Sequence, residues 1–522
     1  MLESDVSETE AQRLSLQVEL DAERTAAERN LMGQFATPPA LADDVMRFAV
    51  SLHNEKKIRF LEPSCGSGSF FSALVKDHDG HVVESATGIE LDERFAAVAS
   101  SLWSDRGLRV LQGDFFERVR DVGESVSLLV ANPPYVRHHH MHADYKAKLG
   151  EQVTEELRMK VSGLSGLYVY FVLLAHKLLA PGAVSAWLIP SEFMDTNYGR
   201  CLRQYLAERV TINRIHRFDP EDTQFDDALV TSAVVVFTNE MPAPDHSATF
   251  TQGGSTCAPE QKWSYPQSEL RWNEKWGRRF SDRGGVAAEK APRFDEFFKI
   301  RRGVATGGNG FFIIPREEAD RLGIKSRNLV PIMPGPRYVK QDTIEADEKG
   351  YPELDRKLAL LRPNASTIES VREDDPALAG YLDGVDEKIR NAYLVKNRKV
   401  WFQVEKREPA PVLMTYMGRG RIGDETPFRF ILNKSKAIAT NVYLMLYPVG
   451  ELKRALESGA LDIEAVYRAL QSVTTEEFLD GGRFYGGGLR KVEPKELAAM
   501  NAQVLANLLP DYHEQEEAPR LF

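Results

Sequence analysis

Between Ile58 and Asn239 short apolar runs alternate with stretches of helical periodicity. The runs predict strands at Ile58–Leu61, Ala86–Leu91, Leu108–Gln112, Val126–Ala131, Ala183–Pro190, Val210–Arg217 and Val230–Asn239. Helices fit between the first six. Leu41, Val45, Phe48 and Ala49 fall at helical spacing in Ala40–Leu52, and Tyr170, Phe171, Leu174 and Leu178 mark the inward face of a helix over Gly166–Leu179. Such alternation predicts an α/β fold with a doubly wound, mostly parallel, seven-stranded sheet. The seventh strand follows the sixth without a helix, so it returns by a loop and is expected to be antiparallel.

The pattern changes on both sides of this region. Residues 7–31 read as a charged helical arm without chemistry of its own. Ser7 with Glu10 forms a capping box there, and Leu14, Val18 and Leu31 give a thin apolar stripe. Pro242, Pro244, Gly253, Gly254 and Pro259 interrupt all periodicity and mark residues 241–290 as a connector. Trp263, Trp272 and Trp276 then anchor that connector by packing, most simply between domains. A second domain of mixed α/β pattern runs over residues 291–522. The chain thus divides into an arm (1–31), an α/β domain (32–240), a connector and a C-terminal domain.

A length of 522 residues is too great for one core, which agrees with that division. No apolar run approaches a membrane span, and the acidic N-terminus is unlike a signal peptide. Cys65, Cys201 and Cys257 are far apart and odd in number, which points to the reducing cytoplasm and away from a metal site. The net charge of −11 excludes a non-specific nucleic-acid coat but not a DNA enzyme, because only a contact face needs to be basic. Residues 1–30 carry eight acids against three arginines, whereas residues 391–440 carry ten bases against four acids.

Candidate chemistry sits at the strand ends. The fourth predicted strand stops at Asn132-Pro133-Pro134-Tyr135, where two prolines fix φ and bias Asn132 away from the helical region. The carboxyl ends of parallel strands are where open α/β sheets place ligands. An Asn side-chain oxygen and the carbonyl of a proline can each accept one hydrogen of an exocyclic amino group. That grip pushes a delocalised, weakly nucleophilic nitrogen such as that of adenine toward a reactive, tetrahedral form. Tyr135 offers a face for a base to stack on.

The first strand ends in Glu62-Pro63-Ser64-Cys65-Gly66-Ser67-Gly68, a glycine-containing turn into a helix. Phe71 stands where a dinucleotide fingerprint has its third glycine. Glu62 would repel a pyrophosphate but tolerate an amino group and a sulfonium, which favours S-adenosylmethionine over NAD. Glu90 ends the second strand and can bind ribose hydroxyls. Asp114 follows the third and can accept from an adenine amino group, with Phe115 to cover the ring. Three acids at successive strand ends followed by the Asn-Pro-Pro-Tyr turn make a specific signal.

With these residues the sequence resembles the N6-adenine DNA methyltransferases of the Eco57I/TaqI type. The resemblance covers most of the chain, most specifically residues 33–240. It implies that Thr37 touches the cofactor carboxylate, that Glu62, Ser64 and Gly66 line its methionine end, that Glu90 holds the ribose, and that Asp114 and Phe115 hold the adenine. It further implies that Asn132, Pro133 and Tyr135 grip the target base and that Phe225 stacks on it. The second domain then recognises duplex DNA. It carries two turns like those of the family, at Gly303–Phe311 and Tyr485–Lys491.

From composition alone the basic 391–440 block is the better DNA-facing surface, since phosphate contacts need Lys and Arg. His138, His139, His140 and His142 lack metal-ligand spacing and read as a loop near the substrate. No acid-acid-lysine cluster marks a fused nuclease, so cleavage would fall to a separate restriction endonuclease or defence-system partner. Two alternatives stay open: a methyltransferase acting on rRNA or a protein glutamine, and a catalytically dead DNA-binding module.

Overall fold

The structure is a computed structural model and describes residues 2–123, 125–218, 232–280, 291–419, 428–473, 483–485 and 489–509. It divides into two compact units, one formed mainly by residues 1–286 and the other mainly by residues 287–522.

In the first unit β1 (Lys57–Glu62), β2 (Val82–Glu90), β3 (Leu108–Gln112), β4 (Val126–Ala131), β5 (Leu179–Pro190), β6 (Thr211–Arg217) and β7 (Ser232–Thr238) occupy the seven predicted positions. They lie in the order β3-β2-β1-β4-β5-β7-β6, parallel from β3 to β5, with β7 antiparallel to both its neighbours. Every residue of β4 is buried, as expected of a central parallel strand covered on both faces. The expected seven-stranded sheet is in fact larger. Residues 241–290 do not form a mere connector: β8 (Ser247–Gly254) and β9 (Pro259–Pro266) extend the sheet beyond β6. Of the residues that suggested a linker, Pro242 and Pro244 precede β8, Gly253 and Gly254 end it, and Pro259 begins β9. Trp276 is buried and Trp263 partly buried against Phe250 and Phe280, so both pack within this unit.

Helices α1 (Leu2–Ala22), α2 (Ala26–Met32), α3 (Pro39–Ser51), α4 (Ser69–Lys76), α5 (Glu93–Trp103), α6 (Phe115–Arg118), α7 (Ala143–Leu157), α8 (Leu167–Ala175) and α9 (Arg200–Glu208) complete it. α3, α4 and α5 contribute to one core, whereas α7, α8 and α9 contribute to another with the opposite set of strand side chains. α8 is buried on all sides, beyond the single inward face that its spacing implied.

The arm also differs from expectation. Residues 7–31 form two helices, and the capping box belongs to Thr25 and Glu28 at the start of α2. Leu14, Val18 and Leu31 are exposed, while Val6, Glu10, Arg13 and Gln17 are buried. α1 is therefore docked through polar side chains against α4 and α5.

The second unit is built on a five-stranded sheet ordered Phe298–Arg302, Tyr443–Pro448, Val412–Thr415, Phe430–Asn433, Thr343–Ile344, with a smaller antiparallel sheet centred on Leu358–Leu361. Among the described residues no helix is long and apolar enough to cross a membrane.

Arg203 on α9 is 2% exposed and donates to the carbonyls of Phe193, Thr196 and Trp272. It ties the turn after β5 to the segment after β9. Replacing it by leucine takes this donor from the Phe193 and Trp272 carbonyls and leaves the Thr196 carbonyl with the Gly199 amide alone, so Arg203→Leu is expected to lower unfolding stability by about 2–3 kcal/mol in chemical denaturation.

Candidate active site

The geometry centres on Asn132, at the carboxyl end of β4. Its Nδ2 donates both hydrogens, one to the Phe35 carbonyl at 3.0 Å and one to the Thr37 hydroxyl at 3.1 Å. The Phe35 carbonyl can only accept, so the amide orientation is determined. Oδ1 is left turned from these partners, and no described residue donates to it or to the Pro133 carbonyl oxygen. Two acceptors thus stand side by side in the chain without a hydrogen-bond donor among the described residues.

The turn is braced from three directions. The Ser64 hydroxyl donates to the Asn132 carbonyl at 3.1 Å. The Tyr135 amide donates to the Gly33 carbonyl at 3.0 Å, and the Leu167 amide donates to the Val136 carbonyl. Gly33 is needed for this approach: its φ is +64°, and a Cβ there would lie 2.4 Å from the Tyr135 nitrogen. Tyr135 is 7% exposed, with its hydroxyl donating to the Leu188 carbonyl and its ring tilted against Phe35. Its phenol is pushed up by burial and acts as an anchor.

The glycine loop after β1 faces the second acid. Glu90 accepts the Gly66 amide on one carboxylate oxygen and the Asp92 amide on the other, both at 2.9 Å. Burial pushes its carboxyl up. Gly66 has φ +53°, and a Cβ there would meet no atom within 4 Å, whereas a Cβ on Gly68 would strike the Trp103 ring at 2.7 Å. One glycine therefore presents open space, and the other fits the loop onto α5.

Glu62 is 2% exposed and accepts the Phe71 amide at 3.3 Å, so it caps α4 from beneath the loop. Burial holds its carboxyl well above the ordinary range. Asp114 accepts the Phe116 amide at 2.9 Å and the Tyr145 hydroxyl at 2.6 Å. Phe115 is buried and stacked on Phe171 at 4.9 Å, while Phe116 is partly exposed beside Tyr145.

The sequence-derived residues Thr37, Ser64 and Asn132 are joined by hydrogen bonds directly or through the Asn132 backbone, and Gly66 is joined to Glu90. Phe225 lies outside the described residues. His138, His139 and His140 form a short helical turn after the Asn-Pro-Pro-Tyr turn, and no metal cluster is present among the described residues.

Sequence reasoning missed the polar support behind the loop. Arg13 on α1 donates twice to Glu10 at 2.7 Å and once to Ser67 at 3.0 Å. Ser67 donates to Gln17, and Ser72 donates to Glu10. The only sequence signal was polar residues at the helical spacing 10, 13, 17, which normally marks a solvated face.

The two glycines should separate on substitution. Gly66→Ala is expected to cost about 1 kcal/mol of stability, from its positive φ, yet to weaken cofactor binding at least tenfold in calorimetry. Gly68→Ala, with the Trp103 ring in its way, should lower the melting temperature by several degrees more.

The family model of the Eco57I restriction-modification methylase matches residues 112–225, and that of the C-terminal domain of the type II methyltransferase M.Eco57I matches residues 286–518. The chain is 25% identical over 486 residues to the type II methyltransferase M.AccI of Acinetobacter calcoaceticus, covering 90% of this chain and 85% of that protein. It is 26% identical over 496 residues to M.XamI of Xanthomonas campestris pv. amaranthicola, covering 91% and 86%. Among solved structures, the type IIL restriction-modification enzyme MmeI, determined in complex with DNA, has the same fold at a TM-score of 0.55 and 14% identity. That match covers 88% of this chain and 64% of MmeI. With both halves matched by models of one methylase and near-full-length similarity to two type II enzymes, the chain belongs to the restriction-modification DNA methyltransferases of the Eco57I type.

Proposed function

We propose that the chain transfers a methyl group from S-adenosylmethionine to N6 of an adenine rotated out of duplex DNA. The observation that carries this reading is the locked amide of Asn132, whose two donors are occupied while no described residue donates to its oxygen or to the Pro133 carbonyl oxygen. A pair of fixed acceptors suits an amino group with two hydrogens, whereas a hydroxyl has only one to give and a ring carbon none.

S-adenosylmethionine fits the residues present. Gly66 gives open space against backbone. Glu90 is fixed by two amides and keeps lone pairs for a ribose diol. The Thr37 hydroxyl accepts from Asn132, so its own proton is free for a carboxylate. Asp114 can accept from an adenine amino group beside the Tyr145 hydroxyl. When bound, the cofactor supplies an electrophilic methyl on a sulfonium.

The rest is done by the chain. Asn132 Oδ1 and the Pro133 carbonyl each accept one amino hydrogen and draw the nitrogen toward tetrahedral geometry. Tyr135 and Phe225 flank the ring. Positioning contributes most of the rate, because reacting atoms held in line need little further activation. No strong base is needed beforehand: the nitrogen becomes acidic as it gains the methyl, and its surplus proton passes through an accepting oxygen to water. The free thiols of Cys65, Cys201 and Cys257 suit a reducing cytoplasm, where such an enzyme meets DNA.

Labelled cofactor offered to duplex DNA, RNA and protein in parallel tests the substrate class. Label is expected in DNA as N6-methyladenine, and transfer to RNA or protein alone would overturn the reading. Asn132→Ala is expected to reduce kcat by roughly a hundredfold or more, with cofactor affinity within about threefold of wild type. Near-normal kcat in that variant would remove the assigned role.

A further inference from the structure

The basic block of the second unit divides in two. Arg429 pairs with Asp342 at 2.7 Å, Lys434 with Glu345 and Glu464 at 3.1 and 2.8 Å, and Arg407 with Glu405. Their charge is largely neutralised within the protein. Lys396 and Lys399 are exposed and form no ion pair with any described residue, and the same holds for Lys388 and Arg390 just upstream. Between residues 386 and 399 five bases face two acids, in a chain whose net charge is −11. One of those acids, Asp386, is engaged in capping the Lys388 amide.

This cationic segment is held in a defined shape. Arg398 donates to the carbonyls of Ala305 and Thr306, at 3.2 and 2.6 Å, and so clamps the segment onto the glycine-rich turn. The turn presses close: a Cβ on Gly307 would lie 3.0 Å from Leu394, and one on Gly308 would lie 3.0 Å from Ile389. The Arg390 guanidinium sits 4.1 Å from the centre of the Trp401 ring, which orients it. Val395 is buried beneath. On the ridge so formed Tyr393 is 80% exposed, the highest value among the described large hydrophobic side chains that stand exposed, and Leu394 is 45% exposed.

We propose that this ridge is a duplex-DNA contact in which Lys388, Arg390, Lys396 and Lys399 meet phosphates and Tyr393 packs into a groove against sugars and base edges. The inference rests on the methyltransferase reading for its partner and adds the face of the second unit that meets it. Charge selects the occupant: exposed cations within a few residues of an exposed aromatic side chain match a polyanion, and phosphate contacts fix the register in which such a side chain can enter a groove. Clamping by Arg398 and Trp401 lowers the ordering cost on binding.

The test uses the full chain, fluorescence anisotropy and two duplexes. One carries the site found by sequencing DNA modified in expressing cells, and the other has a scrambled sequence. Lys396→Gln/Lys399→Gln is expected to weaken binding to both duplexes about tenfold and to reduce the slope of log affinity against log salt by about 2. Tyr393→Ala is expected to weaken binding to the site about tenfold, to raise the KM for DNA, and to leave cofactor affinity and kcat at saturating DNA within twofold. Tyr393→Phe should restore most of the loss. Unchanged binding and KM in these variants would overturn the proposal; a protein partner seated on the ridge would give that result. If wild type binds duplex DNA with this dependence yet transfers no methyl, the methylation reading fails and the ridge stands.

Discussion

Two hydrogen bonds from one side-chain amide hold the candidate site together. Asn132 gives its hydrogens to the Phe35 carbonyl and the Thr37 hydroxyl, so the loop before α3 decides which way the amide faces. An unrestrained asparagine could present either its donor or its acceptor to a substrate. Here a backbone carbonyl removes that ambiguity, and the acceptor is fixed on the side away from these two partners. Such preorganisation matters because the orientation cost is met in folding rather than in each catalytic cycle.

The same economy governs the neighbouring loop. Each carboxylate at a strand tip is already occupied by backbone amides or a hydroxyl: Glu62 by Phe71, Glu90 by Gly66 and Asp92, Asp114 by Phe116 and Tyr145. Burial would otherwise make these groups costly to keep, and the amides offset part of that cost. Behind the loop a buried Arg13–Glu10 pair is satisfied by Ser67 and Ser72, so α1 fastens the glycine loop after β1 through hydrogen bonds rather than through apolar packing. A buried ion pair of this kind is poor evidence of stability but specifies one docking register.

The second unit shows why a count of bases is a weak guide to a nucleic-acid face. Within one block, Arg429 and Lys434 are held by carboxylates from distant segments, whereas Lys396 and Lys399 are left to solvent. Only the unpaired members keep the charge needed to exchange counterions for phosphates. Burial and pairing, not sequence density, decide which bases remain available to a ligand.

Short-range information carried much of this protein. Runs of apolar residues located seven strands of the larger sheet, because a strand covered on both faces has little choice of composition. The strand-tip acids and the Asn-Pro-Pro-Tyr turn were legible because backbone stiffness and hydrogen-bonding capacity are properties of the residues themselves. Contacts between distant residues were not legible. The strands Ser247–Gly254 and Pro259–Pro266 read as a linker because turn residues flank them, and only pairing with β6 makes them sheet. The arm's true docking face was hidden, since Glu10, Arg13 and Gln17 look solvated until Ser67 and Ser72 meet them from 50 to 62 residues away. Residue chemistry named what could react; three-dimensional pairing determined which donors were spent and which acceptors remained.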